Sequence, residues 1–336
     1  GAENFSTGIA ARELAGLEKM AELSRTSGLP TPSLRDVEDH DAVFVLGEDL
    51  IQSAARVGLA ARQAVLGRRE EVAGERGIPE WNAAAIKTLG QDSCHPLYVA
   101  YPTQTGLDNI AQPCPALAPQ DIARLGFAVA HIIDGAAPAV EGLADPLRDA
   151  AQEIAASLLA AKRPLIISGG SLDSADVLAA AGNVARALAR RACAGGLMLI
   201  RREANSTGLP MLGGQSLEWA LDTLSDGQAD AVVILENDLY QRLTPSRIDP
   251  ALARTDAIVV IDHQQTRTME KAHLSLPAAS FAESDGTLVS LEGRAQRFFQ
   301  VYDPRYIRPD TNIHESWRWL HALGSGMRRE EPTDIN

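Results

Sequence analysis

Two acids follow the first strongly apolar run of the chain. Ala42-Val43-Phe44-Val45-Leu46 ends at Gly47, and Glu48 and Asp49 come next. A strand that turns through glycine into a helix presents backbone amides suited to a phosphate. The two carboxylates oppose that use, because they repel an anion. Gly169-Gly170, after the apolar run at 165–167, is the better candidate for an anion contact, and a plain tight turn competes with it. Gly213-Gly214 is a third such junction. None of the three is GxGxxG or a P-loop. Asp262 ends the apolar run 258–261, where a dinucleotide-binding fold holds a ribose hydroxyl; a turn or a helix cap explains it equally well. Glu283, Asp285 and Glu292 flank Gly286 in a segment that reads as a turn, with Arg294 placed to answer one carboxylate. A polar loop fixing a domain junction and a ligand clamp both fit those residues. The histidines His40, His95, His131, His263, His273, His314 and His321 show no HxH or HExxH spacing. His131 lies in an apolar helical run and reads as a satisfied core residue. Asp262-His263 with Ser280 can be written as a triad, but no GxSxG elbow accompanies them, which sets hydrolysis aside. Cys94, Cys114 and Cys193 lie too far apart for CxxC, so their spacing builds neither an iron–sulfur cluster nor a zinc ribbon. Three scattered thiols fit a reducing compartment better than a disulfide scaffold.

Rigid elements must hold these residues, and the apolar pattern supplies them. Short continuous apolar runs at Ala42–Leu46, Leu97–Ala100, 165–167, 197–200, Ala231–Leu235 and 257–261 have the profile of buried parallel strands. Between them lie helical runs at 53–66, 120–133 and 146–161, and one after Gly170 with Val177, Ala181, Val184 and Leu188 on a single face. Parallel strands need helical crossovers, so the class is α/β. An internal echo suggests two related lobes. Residues 41–52, Asp-Ala-Val-Phe-Val-Leu-Gly-Glu-Asp-Leu-Ile-Gln, line up with 230–241, Asp-Ala-Val-Val-Ile-Leu-Glu-Asn-Asp-Leu-Tyr-Gln. Each copy leads to another strand and then to a Gln-Thr, Gln104-Thr105 and Gln265-Thr266. Two Rossmann-like units explain the echo; the narrow residue repertoire of buried strands is the rival explanation. In that alignment Tyr101 stands where the second copy has Asp262. The polar, glycine-rich stretch 201–214 and the stretch 277–297 are long irregular segments, where function or an interface concentrates.

Composition narrows the partners. The 336 residues carry 44 acidic and 31 basic side chains, a net charge of −13, with 45% apolar and 22% charged residues. That is globular composition, sized for about two domains. The acidic balance excludes a nucleic-acid partner. No apolar run approaches the ~20 residues of a membrane span, so no direct membrane insertion is expected, and no signal-peptide pattern opens the chain. It begins Gly1-Ala2-Glu3 without Met and reads as an excerpt of something longer or a processed chain.

The run Leu276-Pro277-Ala278-Ala279, Glu283-x-x-Gly286-Thr287 and Glu292-Gly293-Arg294-Ala295-Gln296 resembles the signature of the molybdopterin oxidoreductase family. Ala161-Lys162-Arg163-Pro164-Leu165-Ile166 and Asn205-Ser206-x-Gly208 look like its other landmarks. A narrower likeness covers nearly the whole chain. Gly1-Ala2-Glu3-Asn4-Phe5, residues 45–49, residues 235–239, residues 280–286 and residues 292–303 resemble the cluster-bearing peripheral-arm subunits of bacterial NADH-quinone oxidoreductase, respiratory complex I. The resemblance implies two Rossmann-like lobes with mostly parallel sheets, like the second and third domains of the molybdopterin family. The lobes are expected at 1–190 and 191–300, with a C-terminal extension bearing a short helix at 301–336. In active members such lobes hold the guanine dinucleotide halves of the cofactor. Here no Cys occurs in 6–12, where a metal ligand would fall, Tyr101 replaces an acid, and Glu48 and Asp49 load the first loop. The resemblance therefore implies a retained fold without its cofactor, with no catalytic residue and no metal ligand. Gly47, Gly169, Gly170, Asn205, Asp262, Glu283 and Gly286 are the candidates for a vestigial pocket. Iron–sulfur clusters would belong to an N-terminal part outside this sequence. The implied partners are the other subunits of the complex I peripheral arm, at the cytoplasmic side of the bacterial inner membrane, in a complex passing electrons from NADH to quinone. A fragment of an active molybdopterin guanine dinucleotide oxidoreductase is the alternative, and a soluble α/β module binding a small ligand is a third.

Overall fold

The computed structural model describes residues 2–328; Gly1 and residues 329–336, the tail of the expected extension, lie outside the described residues. Contacts divide the chain into two compact units. One comprises Ala15–Thr207 with Leu291–Arg294; the other comprises the residues up to Leu14, Gly208–Ser290 and those from Ala295 onward.

The larger unit is built on four parallel strands, β1 (Ala42–Leu46), β2 (Leu97–Ala100), β3 (Pro164–Gly169) and β4 (Gly196–Ile200), in the order β2-β1-β3-β4. Every residue of the four is buried, as their unbroken apolar runs demand. Helices α1 (Ala11–Thr26), α2 (Leu50–Ser53), α3 (Ala55–Glu75), α4 (Ala83–Leu89), α5 (Pro119–Ile133), α6 (Asp145–Ala160) and α7 (Ala175–Arg190) surround or connect the strands. Strand alternation splits the core. Val43, Val45, Leu165 and Ile167 cluster with Val57, Ala61 and Ala64 of α3. On the other face Leu46 approaches Gly126 of α5, and Tyr98 reaches Glu153 and Ser157 of α6 through its hydroxyl. Helices therefore cover both faces, a doubly wound sheet. The order reverses between β1 and β3, which makes the carboxyl ends of those two strands the topological switch point.

In the other unit β5 (Ala231–Leu235), β6 (Ala257–Asp262) and β7 (Leu274–Pro277) are parallel in the order β5-β6-β7, with α8 (Leu217–Ser225) and α9 (Pro245–Leu252). Leu221, Leu224, Ile234, Ile248, Leu252, Ile258 and Val260 form its core. An antiparallel hairpin, β8 (Gly286–Val289) and β9 (Ala295–Phe298), and helix α10 (Ser316–Arg328) follow.

The α/β class and the parallel sheets are those expected, and several particulars differ. The chain divides near 207/208 rather than 190/191, because β4 is hydrogen-bonded to β3 and completes the first sheet. Residues 2–14 join the second unit, through Thr7 N–H to the Gln215 carbonyl and Leu217 N–H to that of Ile9. The expected helix at 53–66 breaks at Ala54 and then runs on to Glu75. Gly286 opens a strand; the turn lies at 290–294, where Gly293 takes φ +79°. β5 is only half-buried, with Val233 and Leu235 exposed, so its second face lacks the helix layer that covers β1.

Candidate functional site

The switch-point crevice is assembled from two strand ends. After β1, Gly47 adopts φ +78°, a conformation open to glycine, and its N–H still donates to the Ala100 carbonyl at 2.9 Å. The turn sends Glu48 inward, where it is completely buried, and leaves Asp49 to cap α2 through the N–H groups of Ile51 and Gln52. After β3 the chain passes through Gly169 and Gly170 to Ser171. Ser171 donates its N–H to Glu48 Oε1 at 2.9 Å and its hydroxyl to Oε2 at 2.5 Å, and the Ser53 hydroxyl reaches Oε2 at 2.9 Å. A Cβ on residue 169 would stand well inside contact distance of Glu48 Oε1 and of the Ile200 carbonyl, so only glycine fits there. Burial pushes the Glu48 carboxyl above its ordinary range, while the Ser171 and Ser53 hydrogen bonds and the Arg202 charge pull it back.

Beyond the end of β2 lies a cavity of about 400 Å³ lined by residues that include Tyr101, Gln104, Asp108, Gln112 and Cys114. No Lys or Arg lines it. Burial, and then the Glu48 and Asp49 charges, push the Tyr101 phenol up, and burial with Asp108 takes the Cys114 thiol up to about 11. An acid-flanked, cation-free hollow of this kind does not attract phosphate.

Of the sequence candidates, Gly47, Gly169 and Gly170 converge on this crevice. Asn205 belongs to the same unit, at φ +62° in the loop after β4. Asp262, Glu283 and Gly286 belong to the other unit and are engaged locally. Asp262 accepts from Gln264 N–H at 3.0 Å and faces His263 Nδ1 at 3.3 Å. Glu283 accepts from Ser280 N–H at 2.9 Å, and Gly286 lies against the Phe298 ring. Arg294 does answer Glu292, at 3.3 Å. His131 is half-buried and satisfied, its Nδ1 2.6 Å from the Ala137 carbonyl. The sequence reading missed Ser53 and Ser171. Ser171 is more than a hundred residues from Glu48, and nothing local marks either hydroxyl as its partner. Among the described residues no group of three or more His, Cys, Asp and Glu is arranged to hold a metal ion, and no helix is long and apolar enough to cross a membrane.

Parallel strands, helices on both faces and a glycine-lined crevice at the switch point define a doubly wound, Rossmann-like α/β fold. The chain belongs to the molybdopterin oxidoreductase family, which matches residues 137–316. It is 53% identical over 99% of its length to the G subunit of NADH-quinone oxidoreductase from Pseudomonas fluorescens, 54% over 96% to that from Pseudomonas putida, and 50% over 98% to that from Escherichia coli K12. It spans 36–37% of the length of those relatives. In fold it resembles a chain of the formyltransferase/hydrolase complex from Methylorubrum extorquens, with a TM-score of 0.53 over 89% of this chain and 85% of that one, at 13% identity.

The cofactor implied by the family's name carries phosphate, and this crevice does not fit it. The space against Gly169 is filled by a carboxylate, and the donors that would meet an oxyanion are already bound to Glu48.

Proposed function

We propose that the chain is a scaffold segment, without a redox centre of its own, of the G subunit in an NADH-quinone oxidoreductase. The whole complex would pass electrons from NADH to quinone at the cytoplasmic side of the bacterial inner membrane. The observation that carries this reading is identity of 50–54% to proteins of that name over almost the entire chain. The occupied crevice supports the non-catalytic part, since a Rossmann-like lobe that fills its own switch point has no room there for a cofactor phosphate. Iron–sulfur clusters would sit on residues of the longer polypeptide. Partners would be the other subunits of the peripheral arm. Phe281, Val301 and Tyr306 are each 85–89% exposed, more apolar surface than an isolated chain needs and suited to burial in an assembly. The vestigial pocket would centre on Gly47, Gly169 and Gly170.

The family match favours one rival, a fragment of an active molybdopterin guanine dinucleotide oxidoreductase. Metal analysis and pterin extraction of the purified full-length protein separate the two. Iron without molybdenum or pterin is the expected result; stoichiometric molybdenum with pterin overturns the scaffold reading.

A further inference from the structure

Glu48 is unusual in what it touches. A carboxylate with no exposed surface occupies the reversal point of a parallel sheet, and all three of its partners there are donors: the Ser171 amide, the Ser171 hydroxyl and the Ser53 hydroxyl. One wall is Gly169, where the absence of a side chain is what admits the carboxylate oxygen. A cationic side chain follows the neighbouring strand. Arg202 lies close enough to favour the ionised acid. An amide, two hydroxyls, a glycine wall and nearby guanidinium charge form the donor set that proteins use for an oxyanion.

We propose that this crevice is an anion cradle whose resident anion is the chain's own Glu48 carboxylate, and that shortening Glu48 converts it into a binding site for a phosphate-sized oxyanion. The side chain takes the ligand's place, so the sheet end is closed and satisfied without a small molecule. In the wild type, phosphate meets a negative charge already in position. With alanine at 48, the Ser171 amide and hydroxyl lose their acceptor beside a buried void, the Ser53 hydroxyl keeps the Asp49 carbonyl at 2.9 Å as its alternative, and an oxyanion from solution satisfies the donors left open. The inference rests on the geometry of this crevice and not on the subunit assignment, which metal and pterin analysis tests separately.

The experiment compares melting temperatures of the full chain, wild type, Glu48→Ala and Glu48→Gln, in inorganic phosphate and in chloride at matched ionic strength. Phosphate should raise Glu48→Ala saturably, by about 5 °C at high occupancy. The wild type and Glu48→Gln, whose side chains fill the cradle, should move no more than in chloride. Adding Ser53→Ala and Ser171→Ala to Glu48→Ala should remove most of the shift. A Glu48→Ala protein that responds to phosphate no more than the wild type overturns the proposal, as does an equal rise in the wild type. If Glu48→Ala does not fold unaided, its refolding yield becomes the reading: recovery in phosphate but not chloride supports the cradle, and failure in both overturns it.

Discussion

At the scale of single residues, Glu48 carries the tension between a charge and its burial. Its folded-state pKa lies above that of the exposed side chain, so its stabilising contribution is present at low pH and is lost as the pH rises through the folded value. Gln keeps the size, can accept the Ser171 N–H, and never ionises. Glu48→Gln should therefore be more stable than wild type at neutral pH, and the advantage should shrink as the pH falls and the carboxyl takes up its proton. Urea unfolding at a series of pH values reads this directly. A gap that widens on acidification would contradict the sign. The carboxyl itself is visible in the sequence as an acid that repels phosphate. Its burial and its Ser171 partner are not, because Ser171 is brought to Glu48 only by the pairing of β1 with β3; Ser53 is near in sequence, but nothing in the linear pattern shows that its hydroxyl turns to Glu48.

Elements show that the internal echo is real in geometry yet limited in extent. Gly47 and Glu236 both turn left-handed after their strands, at φ +78° and +45°. Each donates its N–H to the neighbouring strand end, to Ala100 at 2.9 Å and to Ile261 at 2.8 Å. Two residues on, Asp49 and Asp238 both cap the next turn. At the position of Glu48 stands Asn237, whose amide donates to the Gly8 carbonyl at 2.7 Å. The sheets then part company: β3 adds beside β1, whereas β7 adds beside β6, so the second sheet lacks the reversal that creates a crevice. The two caps also carry unequal work. Asp49 holds N–H groups of its own helix; Asp238 holds Tyr240 N–H and in addition the amide and hydroxyl of Thr268, at 3.2 and 2.7 Å. Asp49→Ala should cost about 1 kcal/mol, as lost caps do, and Asp238→Ala roughly 2–3 kcal/mol. Thermal or urea denaturation of the two variants ranks them, and equal losses would refute the added role of Thr268.

For the whole molecule, the division into units makes a prediction about autonomy. The four-stranded sheet, its helices on both faces and nearly all of its core come from one continuous stretch. A fragment comprising residues 15–207 should fold alone, with cooperative thermal unfolding and helical circular dichroism, although Leu291 of the hairpin loop also packs on that core. A fragment that stays unfolded would show that Leu291–Arg294 or the second unit is required. The other unit draws on three separated stretches and has no equivalent single fragment.

Class and family are legible in the linear chain. Continuous apolar runs alternating with amphipathic ones specify parallel strands and helical crossovers, and the run from Leu276 to Gln296 marks the family, because both signals are local and survive in one dimension. Folding in three dimensions was needed to settle which strands are neighbours, that β4 belongs to the first sheet, and what fills its switch point. Strand order and long-range hydrogen bonds depend on residues a hundred or more positions apart, and no local pattern records that Ser171 will close on Glu48.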